Sequence, residues 1–326
     1  MTYQFEWEPT PPASGKAEFR RLAVFALGVG SVFVCSVLAQ LAVSAVTSLL
    51  FPTLLQTAWF PVLASSLCLY LFGMVPGWLI LRFVMPEPID RRRMGALTMP
   101  ATVSVSVVLM LGGSILGTLI SNMLAALTGG SASNPVEELA NAVPLWTLAL
   151  CTVILAPVAE ELFFRKVVID RLRRYGDLPA ILVSAVIFGL AHGNFSQFFY
   201  AFFLGLLFGA LYCMTGRVRW GIFLHMGINF FGSVWSTLLL RRVGGSEALT
   251  YEKLLGDPVA MLMYLGDLAV YGLALLAFIP SLIYLLRRFH PRRWHNPYSA
   301  GQWMKLIFLN PAVWLCAAVF VALFLL

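Results

Sequence analysis

A chain of 326 residues that is 60% hydrophobic and only 11% charged, with mean hydropathy +0.85, lies far outside the range of soluble globular proteins. The formal net charge of +7 does not point to a nucleic-acid partner, because the basic residues flank long apolar runs and act as topology determinants. Five cysteines, Cys35, Cys68, Cys151, Cys213 and Cys316, each lie inside an apolar run, which excludes a disulfide framework and a CxxC metal motif.

Residues 1–21 are polar and Pro-containing and read as a cytoplasmic tail. The apolar run after them, 22–50, is too long for the core of a signal peptide and reads as a retained first span. Against the roughly 20 residues needed to cross the hydrocarbon core, nine runs qualify: 22–50, 60–83, 97–127, 145–169, 178–192, 195–214, 220–240, 259–286 and 306–326. The fifth is short and the ninth is interrupted by Pro311, so the expectation is an all-α polytopic membrane protein with 8 to 9 transmembrane helices. With the N-terminus in the cytoplasm, 19 of the 22 Lys and Arg residues fall on the inside, leaving Arg241, Arg242 and Lys253 outside. The expected location is a cell membrane, with the lipid bilayer as the main partner. The chain divides into the tail 1–21, spans one to three in 22–144, a helical core in 145–240 and the last spans in 241–326.

Two connections are long, 128–144 outside and 287–305 inside. Gly113 with Gly117, and Gly205 with Gly209, stand four residues apart and permit close helix contact of an ordinary kind.

The fourth span carries PVAEELFFR, with Glu160, Glu161 and Arg165 in a segment whose upstream half is apolar. An ionisable residue at mid-membrane costs about 2.5–3.5 kcal/mol and normally faces protein or a wet cavity. Glu161 and Arg165 are spaced to meet as an ion pair, which leaves Glu160 about 100° around the helix without an evident partner. Pro157 has no N–H and is expected to kink the span or free a backbone carbonyl near the acidic pair. Of four histidines, His290 and His295 lie in the basic connection HPRRWH, whereas His192 ends the fifth run in FGLAH and His225 lies in the seventh in HMGIN, one turn from Asn229.

A carboxylate beside two imidazoles and an amide can hold and deprotonate water and steady an oxyanion. The same set can hold a divalent metal such as zinc, with His192 and His225 as ligands. HExxH, GxSxG and a Ser/Lys pair are absent, so hydrolysis by an activated water fits the inventory best.

In order and spacing, EELFFR, FGLAH with Phe188, and HMGIN resemble the EExxxR, FxxxH and HxxxN motifs of the CPBP intramembrane protease family, which includes type II CAAX prenyl endopeptidases and bacterial Abi-type proteins linked to bacteriocin processing or immunity. The resemblance implies an endopeptidase whose active site is buried between helices four, five and seven. In that reading Glu160 activates water, His192, His225 and Asn229 hold it and the oxyanion, and Glu161, Arg165 and Phe188 support them. The expected substrate is a protein or peptide reaching the site from the membrane. Two other classes compete: an idle Abi-like scaffold or immunity protein, and a transporter relaying protons through Glu160, His192 and His225. Clustering of the ionisable residues in spans four to seven, with Asp267 alone in span eight, favours the enzyme. Convergence carries one condition. At about 1.5 Å per residue, His192 lies about 21 Å along its helix and His225 only about 10 Å along its own, so a short fifth helix, tilt or an extension of helix four has to close the gap.

Overall fold

The computed structural model describes residues 15–129, 135–245, 249–292 and 298–325, and these contain no strand. His295, Arg293 and the first fourteen residues of the expected tail lie outside them.

Seven helices are long and apolar enough to cross a bilayer: Gly15–Leu50, Phe60–Leu81, Thr98–Thr128, Leu145–Tyr175, Phe195–Thr215, Val218–Val243 and Pro258–Arg288. Between the fourth and sixth spans stands the short fifth helix, Asp177–Leu190. The ninth is a pair, Ala300–Phe308 and Pro311–Leu325, bent by 67°. Pro311 starts the second half, and the Asn310 amide before it donates to the Phe19 carbonyl at 3.0 Å, pinning the break to the first span.

All nine runs read from hydropathy are helical, and the differences lie at their ends. Residues 15–21, assigned to the tail, are already the first turns of the first helix. The fourth helix runs six residues past 169 to Tyr175, and the fifth stops at Leu190, leaving His192 in the following turn.

Glycines set the closest approaches. A Cβ on Gly113 would lie 2.4 Å from the Tyr200 Cα, and one on Gly117 2.6 Å from the Phe195 carbonyl, so the third span is pressed onto the start of the sixth. Gly205 meets Ala185 in the same way at 3.0 Å, which seats the sixth span on the fifth. Gly73 faces the Val32 carbonyl at 2.5 Å and joins spans one and two. These are the tight helix contacts that small residues allow inside a membrane. Span eight packs on the third and on the end of the seventh, where the Trp235 indole donates to Asp267 at 2.8 Å, and it presents apolar side chains outward, Leu262, Leu273 and Leu276 among them.

The end of the bundle where basic residues gather is tied by polar bonds. Tyr175 donates to Glu18, which also pairs with Arg21, and Arg171 donates to the Leu81 carbonyl at 2.6 Å. The connection after span two folds beneath span four and the turn from span six to span seven: the Glu87 amide donates to the Asp170 carbonyl, the Arg92 amide to that of Thr215, and Gly216 (φ +62°) sits against the Asp90 carbonyl. The seventh span therefore starts deeper in the bundle than the hairpin of spans four and five.

Candidate active site

That offset closes the gap in depth. Glu160 stands fifteen residues before Tyr175 at the end of helix four, and His192 fifteen residues after Asp177 at the start of helix five. Both thus lie about 22 Å from the hairpin turn at about 1.5 Å per residue. His225 reaches the same level from its deeper start, with its Nε2 atom 3.9 Å from Glu160 Oε2 and its Nδ1 atom 3.4 Å from Glu161 Oε1. One imidazole spans the two adjacent carboxylates.

The carboxylates differ in access. Glu161 and Arg165 are both fully buried, joined by Nε to Oε2 at 3.1 Å and a second guanidinium nitrogen to Oε1 at 3.2 Å. A third guanidinium contact reaches Ser184 Oγ at 3.1 Å, and Ser184 donates to the Phe164 carbonyl. Such a fork holds geometry as well as charge. Arg165 also lies over Phe188 at 4.8 Å and near Phe208 at 5.8 Å, so its remaining surface meets aromatic faces rather than lipid. The Glu160 side chain is 16% exposed, and only this carboxylate is open for chemistry.

Phe188 stands between the histidines, its ring edge-on to His192 at 5.1 Å and to His225 at 5.9 Å. His192 Nδ1 is 2.8 Å from the Phe188 carbonyl. A carbonyl only accepts, so Nδ1 carries a proton, and in the neutral form this fixes the tautomer in which Nε2 is the acceptor.

Asn229 enters through the backbone of span four. Helix four is wound as a π-helix over Ala149–Leu155, its last bond running from the Ala156 amide to the Cys151 carbonyl. The next bond in that series would need an N–H on Pro157, which has none. The Thr152 carbonyl is thereby freed, and Asn229 Nδ2 donates to it at 2.7 Å. The Thr152 hydroxyl meets Ser233 at 3.0 Å, and Ser233 donates to the Asn229 carbonyl. π-Turns recur at functional sites for this reason, since they release backbone groups. Asn229 retains a second amide hydrogen for the site.

Several members of the site were not singled out from the sequence. Gly221 leaves room for Glu161, since a Cβ there would lie 2.6 Å from Oε2. Ser184 anchors Arg165, and Thr152 and Ser233 hold Asn229. The signal was spacing: Ser184, Phe188 and His192, and likewise Gly221, His225, Asn229 and Ser233, recur every four residues on one helix face.

Among the described residues no group of three or more His, Cys, Asp or Glu is placed to hold a metal ion.

Residues 142–231 match the family model described as type II CAAX prenyl endopeptidase Rce1-like. The similarity to that family is confined to this segment. It holds all seven residues of the three motifs, Glu160, Glu161, Arg165, Phe188, His192, His225 and Asn229. MroQ of Staphylococcus aureus (strain USA300), named a membrane-embedded CAAX protease, is 30% identical over 130 residues, 36% of this chain and 52% of its own. YdiL of Bacillus subtilis (strain 168), named as a candidate membrane peptidase, is 32% identical over 97 residues, 29% of this chain and 39% of its own. The chain thus matches about half or less of the length of these relatives. No solved structure gives a significant match.

Proposed function

We propose that the chain is an intramembrane endopeptidase that hydrolyses a peptide bond with a water activated by Glu160. The observation that supports this most is the division of labour at His225, which lies between a sealed, Arg-paired Glu161 and an accessible Glu160. A purely structural cluster would have no use for a second carboxylate that Arg165 does not pair and that stays accessible.

In this mechanism a water lies between Glu160 and the acceptor Nε2 of His192. Glu160 takes its proton as the oxygen adds to the scissile carbonyl carbon. The tetrahedral oxyanion receives the free amide hydrogen of Asn229, held in place by its bond to Thr152. Glu160 then returns the proton to the leaving nitrogen as the C–N bond breaks, so acid and base are one group. Glu161, fixed by Arg165, orients His225 beside Glu160. No step passes through a metal. With the N-terminus in the cytoplasm, as the distribution of Lys and Arg favours, the hairpin turn of spans four and five faces the inner side.

Candidate membrane substrates co-expressed with the wild type and with Glu160→Gln, their fragments mapped by mass spectrometry, test the reading. Cleavage by the wild type should fall by at least ~10²-fold in the variant, as for loss of a general base, and should survive a strong chelator. Equal cleavage by both would overturn the assignment.

A further inference from the structure

In the tautomer that the Phe188 carbonyl selects, His192 presents an acceptor to the site, and its Nδ1 hydrogen is spent on Phe188. On this flank nothing yet described can donate to a developing oxyanion. The third span, through Gly113, presses the backbone of Tyr200 into place, and the Tyr200 ring meets His192 edge-on at 6.3 Å.

The direction of the hydrogen bonds around Tyr200 is fixed by a backbone group. The Gln197 amide N–H donates to Asn194 Oδ1 at 2.9 Å, so Asn194 Nδ2 is the donor end. Nδ2 donates to the His192 carbonyl at 2.7 Å and to Gln197 Oε1 at 2.8 Å. Gln197 must then present Nε2 to the Tyr200 oxygen, 2.8 Å away. The phenol oxygen accepts, and among the described residues no acceptor engages its own hydrogen.

We propose that Tyr200 is a further catalytic residue, its hydroxyl oriented by the Asn194–Gln197 chain to donate a hydrogen bond to the reacting carbonyl oxygen on the His192 side. No covalent bond to the enzyme is made or broken; the phenol keeps its proton throughout. The assignment rests on the protease reading, and its test separates the two.

Tyr200→Phe keeps the ring against His192 and the backbone against Gly113 and removes only the hydroxyl. With a fluorogenic peptide spanning the cleavage site mapped for the wild type, kcat should fall by about 10²-fold with KM unchanged, the loss typical of one oxyanion donor. Thermal unfolding in detergent should be unaltered, which a role in packing alone would not give alongside a kcat loss. Wild-type kcat in Tyr200→Phe, with Glu160→Gln inactive, would overturn the role of Tyr200 and leave the protease reading standing. Full activity in both variants would overturn the two together.

Discussion

The carboxylate of Glu161 fills the space that a side chain at Gly221 would occupy, with Oε2 only 2.6 Å from the ideal Cβ position. Arg165 grips that carboxylate with two nitrogens, so it cannot swing aside. Span seven can approach span four closely enough for His225 to reach both glutamates only because position 221 carries no side chain.

Gly221→Ala should therefore cost about 1–3 kcal/mol, as overpacking of a filled interior does, and should lower cleavage by moving His225. Thermal unfolding of the purified variant in detergent, beside a cleavage assay, checks this; an Ala variant as stable and as active as the wild type would contradict the packing described.

Glu161→Gln leaves a buried guanidinium without its counter-charge, a change that costs about 3–5 kcal/mol. The double change Glu161→Leu with Arg165→Met removes both charges and should recover most of the folded yield. Activity should stay low in the double variant, because His225 has lost the carboxylate 3.4 Å from its Nδ1 atom. Recovery of both folding and cleavage would reduce the pair to a structural role.

Pro157→Ala restores an N–H that can bond the Thr152 carbonyl in continuation of the π-turns. The Asn229 amide then competes with the helix for its only described partner in span four. The variant should fold at least as well as the wild type yet show kcat lowered by about tenfold, the equivalent of one hydrogen bond of about 1.4 kcal/mol. Unchanged kcat would mean that Asn229 needs no anchoring.

Orientation is testable without a substrate. In a background lacking the five native cysteines, single cysteines at Arg92 and at the exposed Tyr251 would be challenged in intact cells with an impermeant thiol reagent. Label should enter at 251 and not at 92; the reverse pattern would invert the orientation.

The helices and the motif residues were legible because both leave periodic marks. A 20-residue apolar run declares a span, and a charged residue within one declares a cost that something must offset. The boundaries were not legible: Arg171 and Arg173 look like the polar end of helix four, yet each is buried with polar partners, so the helix continues to Tyr175. The π-turns around Pro157 were half legible. The missing N–H pointed to a freed carbonyl, but which carbonyl depends on whether the helix winds with four- or five-residue bonds, and only coordinates decide that. The place of Gly221 beside Glu161 was beyond hydropathy, since a glycine in an apolar run carries no mark of what leans on it.

The sealed Glu161–Arg165 pair also bears on how the chain enters its membrane. When span four first leaves the ribosome, Ser184, Phe188, Phe208 and Gly221, which enclose the pair, have not yet been synthesised. Each exposed charge would cost about 2.5–3.5 kcal/mol at the bilayer centre, so the segment should linger at the insertion machinery until spans five to seven arrive and enter as one hairpin-rich unit. A chain truncated after Ile169 should then be released poorly into lipid and degraded, whereas one extended through Val243 should be retained.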